Sequence, residues 1–255
     1  MKVLVLLLVL LFNLESIAKM FPENDLRVPR DSKSNISKKE FESILDKINS
    51  IYSPIIEDRK KTKLVISGEW NNDGVNAYTY KWANKIYIVV YGGLARHQFT
   101  TKNALALVVC HELGHHLGGG PMYPNHSWAT NEGQSDYWGA LKCLKKVEKE
   151  LNFPVEHESE FALSECNNDQ SCYKTAMAGL SIGKLFADMR KIPHPKFETP
   201  DPTIVEEMHH GHSKPQCRVD TYFQAALCDK DFLGDELCLR SDGYEIGVRP
   251  LCWFK

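Results

Sequence analysis

The sequence predicts a single α+β domain: a small mixed or antiparallel sheet packed on a central helix, followed by a mainly helical, disulfide-bearing C-terminal part. Three observations predict it. β-rich segments cluster at 63–66, 76–80 and 85–91; an apolar helical stretch follows from Thr101 to Leu117; and all eight cysteines lie from Cys110 onward. With 255 residues and 43% hydrophobic side chains the chain can bury one sizeable core, and its mean hydropathy excludes a bundle of spanning helices. Thirty-one basic residues balance 33 acidic ones, and no run of five or more basic residues occurs, so the charge pattern gives no case for nucleic acid or an anionic membrane as partner.

The first helix is expected from Ser37, whose side chain with Glu40 reads as a capping box, through Tyr52, with Pro54 just beyond its end. Asn71-Asn72-Asp73-Gly74 reads as the turn between the first two strands, and Gly92-Gly93 closes the third. Thr101 precedes the apolar helix, which stops at Gly118-Gly119-Gly120-Pro121. Further helices are expected at 130–151, 170–192 and 216–227, with a Pro-rich loop at 193–202. The polar stretch 19–36 reads as a flexible segment, which leaves 37–255 as the folded domain.

Residues 1–18 have the layout of a secretory signal peptide: Lys2, an apolar run from Val3 to Phe12, then Ser16-Ile17-Ala18. Cleavage is expected after Ala18, with a retained anchor as the alternative; the run is too short to span a bilayer. An exported, periplasmic or secreted protein keeps an even number of cysteines as disulfides. Only Cys166 with Cys172, around a polar turn, is locally suggested as a pair. A cysteine zinc site is disfavoured because no CxxC occurs.

Chemistry concentrates in His111-Glu112-Leu113-Gly114-His115. Histidines four apart on a helix project from one face and can share a metal, with Glu112 beside them to move a proton. The bland alternative, a buried helix with two satisfied histidines, leaves a carboxylate on an apolar helix unexplained. His116 falls about 100° around the helix from His115, off the metal face. A catalytic zinc wants a third protein ligand. Pro121 stands where one class carries a third histidine, whereas Glu132 and Asp136, four apart on the next helix, supply a ligand and a partner for the free ring N–H of His111. An ordinary acidic helix start is the alternative for that pair.

These residues resemble the gluzincin zinc metallopeptidases, and more closely the superfamily of HtpX, the CaaX prenyl proteases and the Oma-type peptidases. HExxH is matched by His111 to His115, and ExxxD by Glu132 to Asp136. A late histidine six residues before an arginine is matched by His212 and Arg218, and an Asn-Ala-aromatic strand by Asn76-Ala77-Tyr78. Ser213 stands where members carry a proline. The resemblance implies a zincin-like (minigluzincin) domain with one Zn2+ per chain, held by His111, His115 and Glu132. It implies catalytic roles for Glu112 as proton shuttle and His212 as oxyanion donor, supporting roles for Asp136 and Arg218, and a substrate-binding edge at Asn76, Ala77 and Tyr78. Tyr80 and Trp82 are candidates to line that groove, against plain cross-strand packing.

The function expected is that of a zinc endopeptidase acting on extended or unfolded protein substrates outside the cytoplasm. The partners expected are a peptide or protein substrate, no nucleic acid, and no integral membrane span in the mature chain. A zinc-bearing chaperone-like protein and a non-peptidase zinc hydrolase are the alternatives.

Overall fold

A computed structural model describes residues 18–124 and 126–255. The expected signal peptide, apart from Ala18, lies outside them. Helix α1 (Lys38–Lys60) opens on the capping box: Ser37 Oγ accepts from the Glu40 amide, and Glu40 Oε2 accepts from the Ser37 amide at 2.8 Å. It runs two turns past Tyr52 with Pro54 inside it. The buried stripe Phe41, Ile44, Leu45, Ile48, Tyr52 and Ile56 keeps helical spacing past the proline, and its burial outweighs the one backbone hydrogen bond that Pro54 cannot make.

Strands β1 (Ala18–Lys19), β2 (Lys63–Glu69), β3 (Ala77–Trp82) and β4 (Lys85–Tyr91) form a mixed sheet in the order β1-β3-β4-β2. β2 and β4 run parallel, while β3 pairs antiparallel with both β4 and β1. Gly92-Gly93 opens a one-turn helix, α2 (Gly92–Arg96). The stretch 19–36, expected as flexible, holds fully buried Met20, Phe21 and Ile36. Its few apolar residues are spaced to anchor a polar strand, a pattern that average composition hides.

Helix α3 (Lys102–Leu117) is capped by Thr101, whose Oγ1 accepts from the Ala104 amide at 3.1 Å, and is buried almost all round. That is the pattern of a helix enclosed on every side. A two-stranded hairpin of β5 (Met122–Tyr123) and β6 (His126–Thr130) follows. It claims Thr130 from the expected helix, which starts two residues later as α4 (Glu132–Trp138) behind the cap Asn131. The same rod continues through a π-helical turn (Gly139–Leu144) into α5 (Lys145–Leu151). After α6 (Glu160–Glu165), the long α7 (Gln170–Arg190) and α8 (Pro215–Leu227) pack on one another and complete the helical part.

Glycine sets how closely α3 meets α4. A Cβ on Gly114 would stand 2.8 Å from the Ser135 carbonyl oxygen, so only glycine lets the two backbones touch there. Four disulfides pair all eight cysteines: Cys110–Cys143, Cys166–Cys172, Cys217–Cys252 and Cys228–Cys238. The first ties the π-helical turn to α3. Cys166–Cys172 is the pair the sequence suggested. Cys228 and Cys238 lie beside Asp229, but their bond leaves no thiolate for a metal. Among the described residues no helix is long and apolar enough to cross a membrane.

Candidate metal centre

His111 and His115 face one another one turn apart on α3, with their Nε2 atoms 3.1 Å apart. The Glu132 carboxylate, first residue of α4, closes on them at 3.3 Å from His111 and 3.7 Å from His115. One donor atom from each lies within 4.8 Å of the others, and all three residues are buried. Their outer nitrogens are already engaged: His111 Nδ1 lies 2.7 Å from Asp136 Oδ1, and His115 Nδ1 lies 2.7 Å from the Thr130 carbonyl oxygen. Since those oxygens accept, each ring carries its proton on Nδ1 and turns an Nε2 lone pair inward. Two imidazole lone pairs and a carboxylate converging in a dry space fit a tetrahedral zinc site with room for one more ligand. Glu132 Oε2 has no hydrogen-bond partner there, as an atom reserved for a cation would not.

The surroundings set the charges. Burial alone would raise Glu132, but the neighbouring rings of His212, His111 and His115 outweigh it and hold the carboxyl below the usual carboxylate range. Burial pushes His115 down to about 4. For His111 burial acts in the same direction, yet Asp136 and Glu132 outweigh it and carry the ring up to about 9. The group thus prefers one positive charge among its inner atoms, which either a proton or a metal ion can supply.

Glu112 is fully buried, and neither carboxylate oxygen has a hydrogen-bond partner. Burial pushes it up to about 8, against the opposing pull of His111 and Arg218; the Met20 amide also favours its charge without meeting hydrogen-bond geometry. A carboxyl poised near neutrality in a water-poor site suits a group that takes and returns a proton.

Asp136 collects Arg218 Nη2 at 2.5 Å, the Tyr222 hydroxyl at 2.5 Å and His111 on a single oxygen. His212 Nε2 stands 3.4 Å from Glu132 Oε2 and 2.8 Å from the Lys19 carbonyl oxygen. His212 and Arg218, from opposite sides of the start of α8, therefore reach the cluster, although His209 and His210 are not among its inner groups. His116 turns away, with its Nε2 2.7 Å from Thr79 Oγ1 and its ring stacked on Trp128.

Asn76, just before β3, and Ala77 and Tyr78 on it hold residues 19–21. Tyr80 stacks on its register partner Tyr87 at 4.9 Å between ring centroids, and Trp82 is largely exposed, so these two pack across or beyond the sheet. Sequence reasoning missed Tyr123 and Tyr222. Tyr123 donates from β5 to Glu132 Oε1 at 2.6 Å. Tyr222 falls one turn after Arg218 on α8, a spacing that only a known role for Arg218 would have made conspicuous.

Residues 42–152 match the model of Peptidase family M48. That span contains His111, Glu112, His115, Glu132 and Asp136, and together with the His-His-Glu cluster it supports a gluzincin metallopeptidase of the M48 type. The α+β architecture with its small sheets is consistent with a zincin-like domain. The M48 match ends before His212 and Arg218, which reach the cluster through the fold alone. No curated protein and no solved structure matches the chain. The four disulfides and the lack of a membrane-crossing helix among the described residues are compatible with an exported protein.

Proposed function

We propose that this metallopeptidase is a zinc-dependent endopeptidase acting on extended or unfolded protein chains outside the cytoplasm. One observation carries the reading: Glu112 is a buried carboxyl group with no hydrogen-bond partner, close to three convergent atoms that could hold a metal ion. A buried, unpaired carboxyl costs several kcal/mol and earns no stability, so its place is explained by chemistry.

His111, His115 and Glu132 would hold one zinc ion, and when bound it supplies Lewis-acid polarisation of a carbonyl and lowers the pKa of water toward ~7. Glu112 takes the proton of the attacking water and hands it to the departing amine. His212, at the rim of the cluster, donates to the oxygen that gains negative charge as the carbonyl carbon becomes tetrahedral. Asp136 fixes the His111 tautomer, and Arg218 and Tyr222 hold Asp136 in place. The β3 edge presents backbone groups that bind an extended chain with little dependence on its sequence.

The test is Glu112→Gln. It should keep one zinc per chain and lose casein hydrolysis by roughly a hundredfold or more. Casein cleavage at the wild-type rate would remove Glu112 from the reaction. Wild-type protein that binds unfolded chains without cutting them favours a chaperone-like role, and turnover confined to small esters or amides favours a non-peptidase hydrolase.

A further inference from the structure

The β3 edge is already covered by the chain's own N-terminal segment. Ala18 and Lys19 pair antiparallel with Thr79 and Tyr78, and the Met20 amide continues the ladder by donating to the Ala77 carbonyl oxygen at 3.0 Å. Lys19 faces Tyr78 in the alternation that turns a residue's own N–H and C=O away from the partner strand. Its carbonyl oxygen accordingly accepts from His212 Nε2 at 2.8 Å. The Met20 carbonyl oxygen accepts from Arg218 Nη1 at 3.2 Å. Asn76 grips Phe21 at both ends: its Oδ1 accepts from the Phe21 amide at 3.2 Å, and its Nδ2 donates to the Phe21 carbonyl oxygen at 3.1 Å. Met20 and Phe21 are fully buried, with the Phe21 ring 4.6 Å from that of Phe186.

We propose that Lys19–Phe21 occupies the peptide groove in cis, as an extended substrate would, and that a free substrate must displace it. The inference rests on the peptidase reading. Apart from Met20 Sδ, which accepts from Arg218 Nη2 at 3.6 Å, the hydrogen bonds between this segment and the candidate site use main-chain groups of the segment, the grip expected of a groove that reads backbone. His212, Arg218, Asn76 and Ala77 converge on three consecutive residues, and the Lys19–Met20 peptide unit lies between His212 and Glu112. If cleavage follows Ala18 as expected, these residues stay in the mature chain as its first three. A tethered segment competes at an effective concentration on the order of millimolar, so a free peptide of equal intrinsic affinity at micromolar concentration stays outside.

The experiment measures binding by fluorescence anisotropy of a labelled peptide carrying Ala-Lys-Met-Phe-Pro-Glu, on the full zinc-loaded chain in a Glu112→Gln background that cannot cut it. Met20→Asp places a charge in the dry pocket and should expel the segment, tightening peptide binding roughly tenfold or more. Met20→Leu should bind as weakly as the parent. A second measurement needs no substitution at Met20: its amide should exchange slowly with solvent in the parent and lose protection when the same peptide is added to saturation. Equal, tight peptide binding by the parent and Met20→Asp, or a Met20 amide that exchanges freely in the parent, overturns the occupancy and leaves the peptidase reading intact. A folded, zinc-loaded Met20→Asp chain with Glu112 present that cleaves neither peptide nor casein overturns the peptidase reading instead.

Discussion

Arg218 Nη2 and Asp136 Oδ1, 82 residues apart in the chain, meet at 2.5 Å with both side chains almost wholly excluded from water. Asp136 stays ionised because Arg218 and His111 outweigh the burial that would otherwise raise its pKa. That charge fixes the ring whose other nitrogen faces Glu132. Removing Arg218 leaves a buried carboxylate short of its counter-charge, a change that typically costs about 3–5 kcal/mol. Arg218→Ala should therefore lower the urea midpoint and weaken zinc binding by roughly 10- to 100-fold. Wild-type values for both would show that the pair does not support the metal centre.

His212 touches the cluster from outside, at 3.4 Å from Glu132, and makes no contact with His111 or His115 close enough to hold them. His212→Ala should retain zinc affinity near the wild-type value and lower kcat by roughly ten- to a thousandfold, as loss of one transition-state donor does. Paired zinc titration and steady-state cleavage separate it from Arg218→Ala; unchanged kcat would exclude the donor role.

Gly114 tests the spacing between α3 and α4. The added Cβ of Gly114→Ala would meet the Ser135 carbonyl oxygen and Cα at 2.8 and 2.9 Å, both of them backbone that cannot swing aside. The helices must part by a few tenths of an ångström, moving Glu132 relative to the histidines, at a cost of about 1–3 kcal/mol. Lower thermal stability with weaker zinc binding is expected; a variant equal to wild type in both would mean that the contact is slack.

Asp220 gives a pH dependence away from the metal ligands. Burial raises its carboxyl to about 6, against hydrogen bonds from the Asp201 amide and Gln216. A carboxyl whose folded pKa exceeds its unfolded value binds its proton more tightly in the fold. Its contribution is therefore present at low pH and is lost as pH rises from about 4 through about 6. Relative to Asp220→Asn, the wild type should lose on the order of 3 kcal/mol across that interval and then level off. Urea midpoints of both proteins between pH 4 and 7.5 measure it, and a constant difference would contradict the shift.

What the sequence determined by itself was local. His111 with His115 and Glu132 with Asp136 are each one helical turn apart, so helix geometry alone puts each pair on one face. The capping box at Ser37 and the Cys166–Cys172 loop are equally short-range, and all were legible. Tertiary structure decided how those faces meet. Periodicity gives a side chain's direction within its own helix and says nothing about which partner lies opposite. Only packing brings Tyr123 onto Glu132 and Tyr222 onto Asp136, pairs six of the eight cysteines, and makes β2 parallel to β4. The segment at 19–21 is the clearest case. Its polar neighbours made it read as flexible, yet Met20 and Phe21 find buried places, and their backbone finds partners on β3, His212, Asn76 and Arg218. A strand's hydrogen-bonding capacity is the same for nearly every sequence, so whether it is used depends on the edge that the rest of the fold presents.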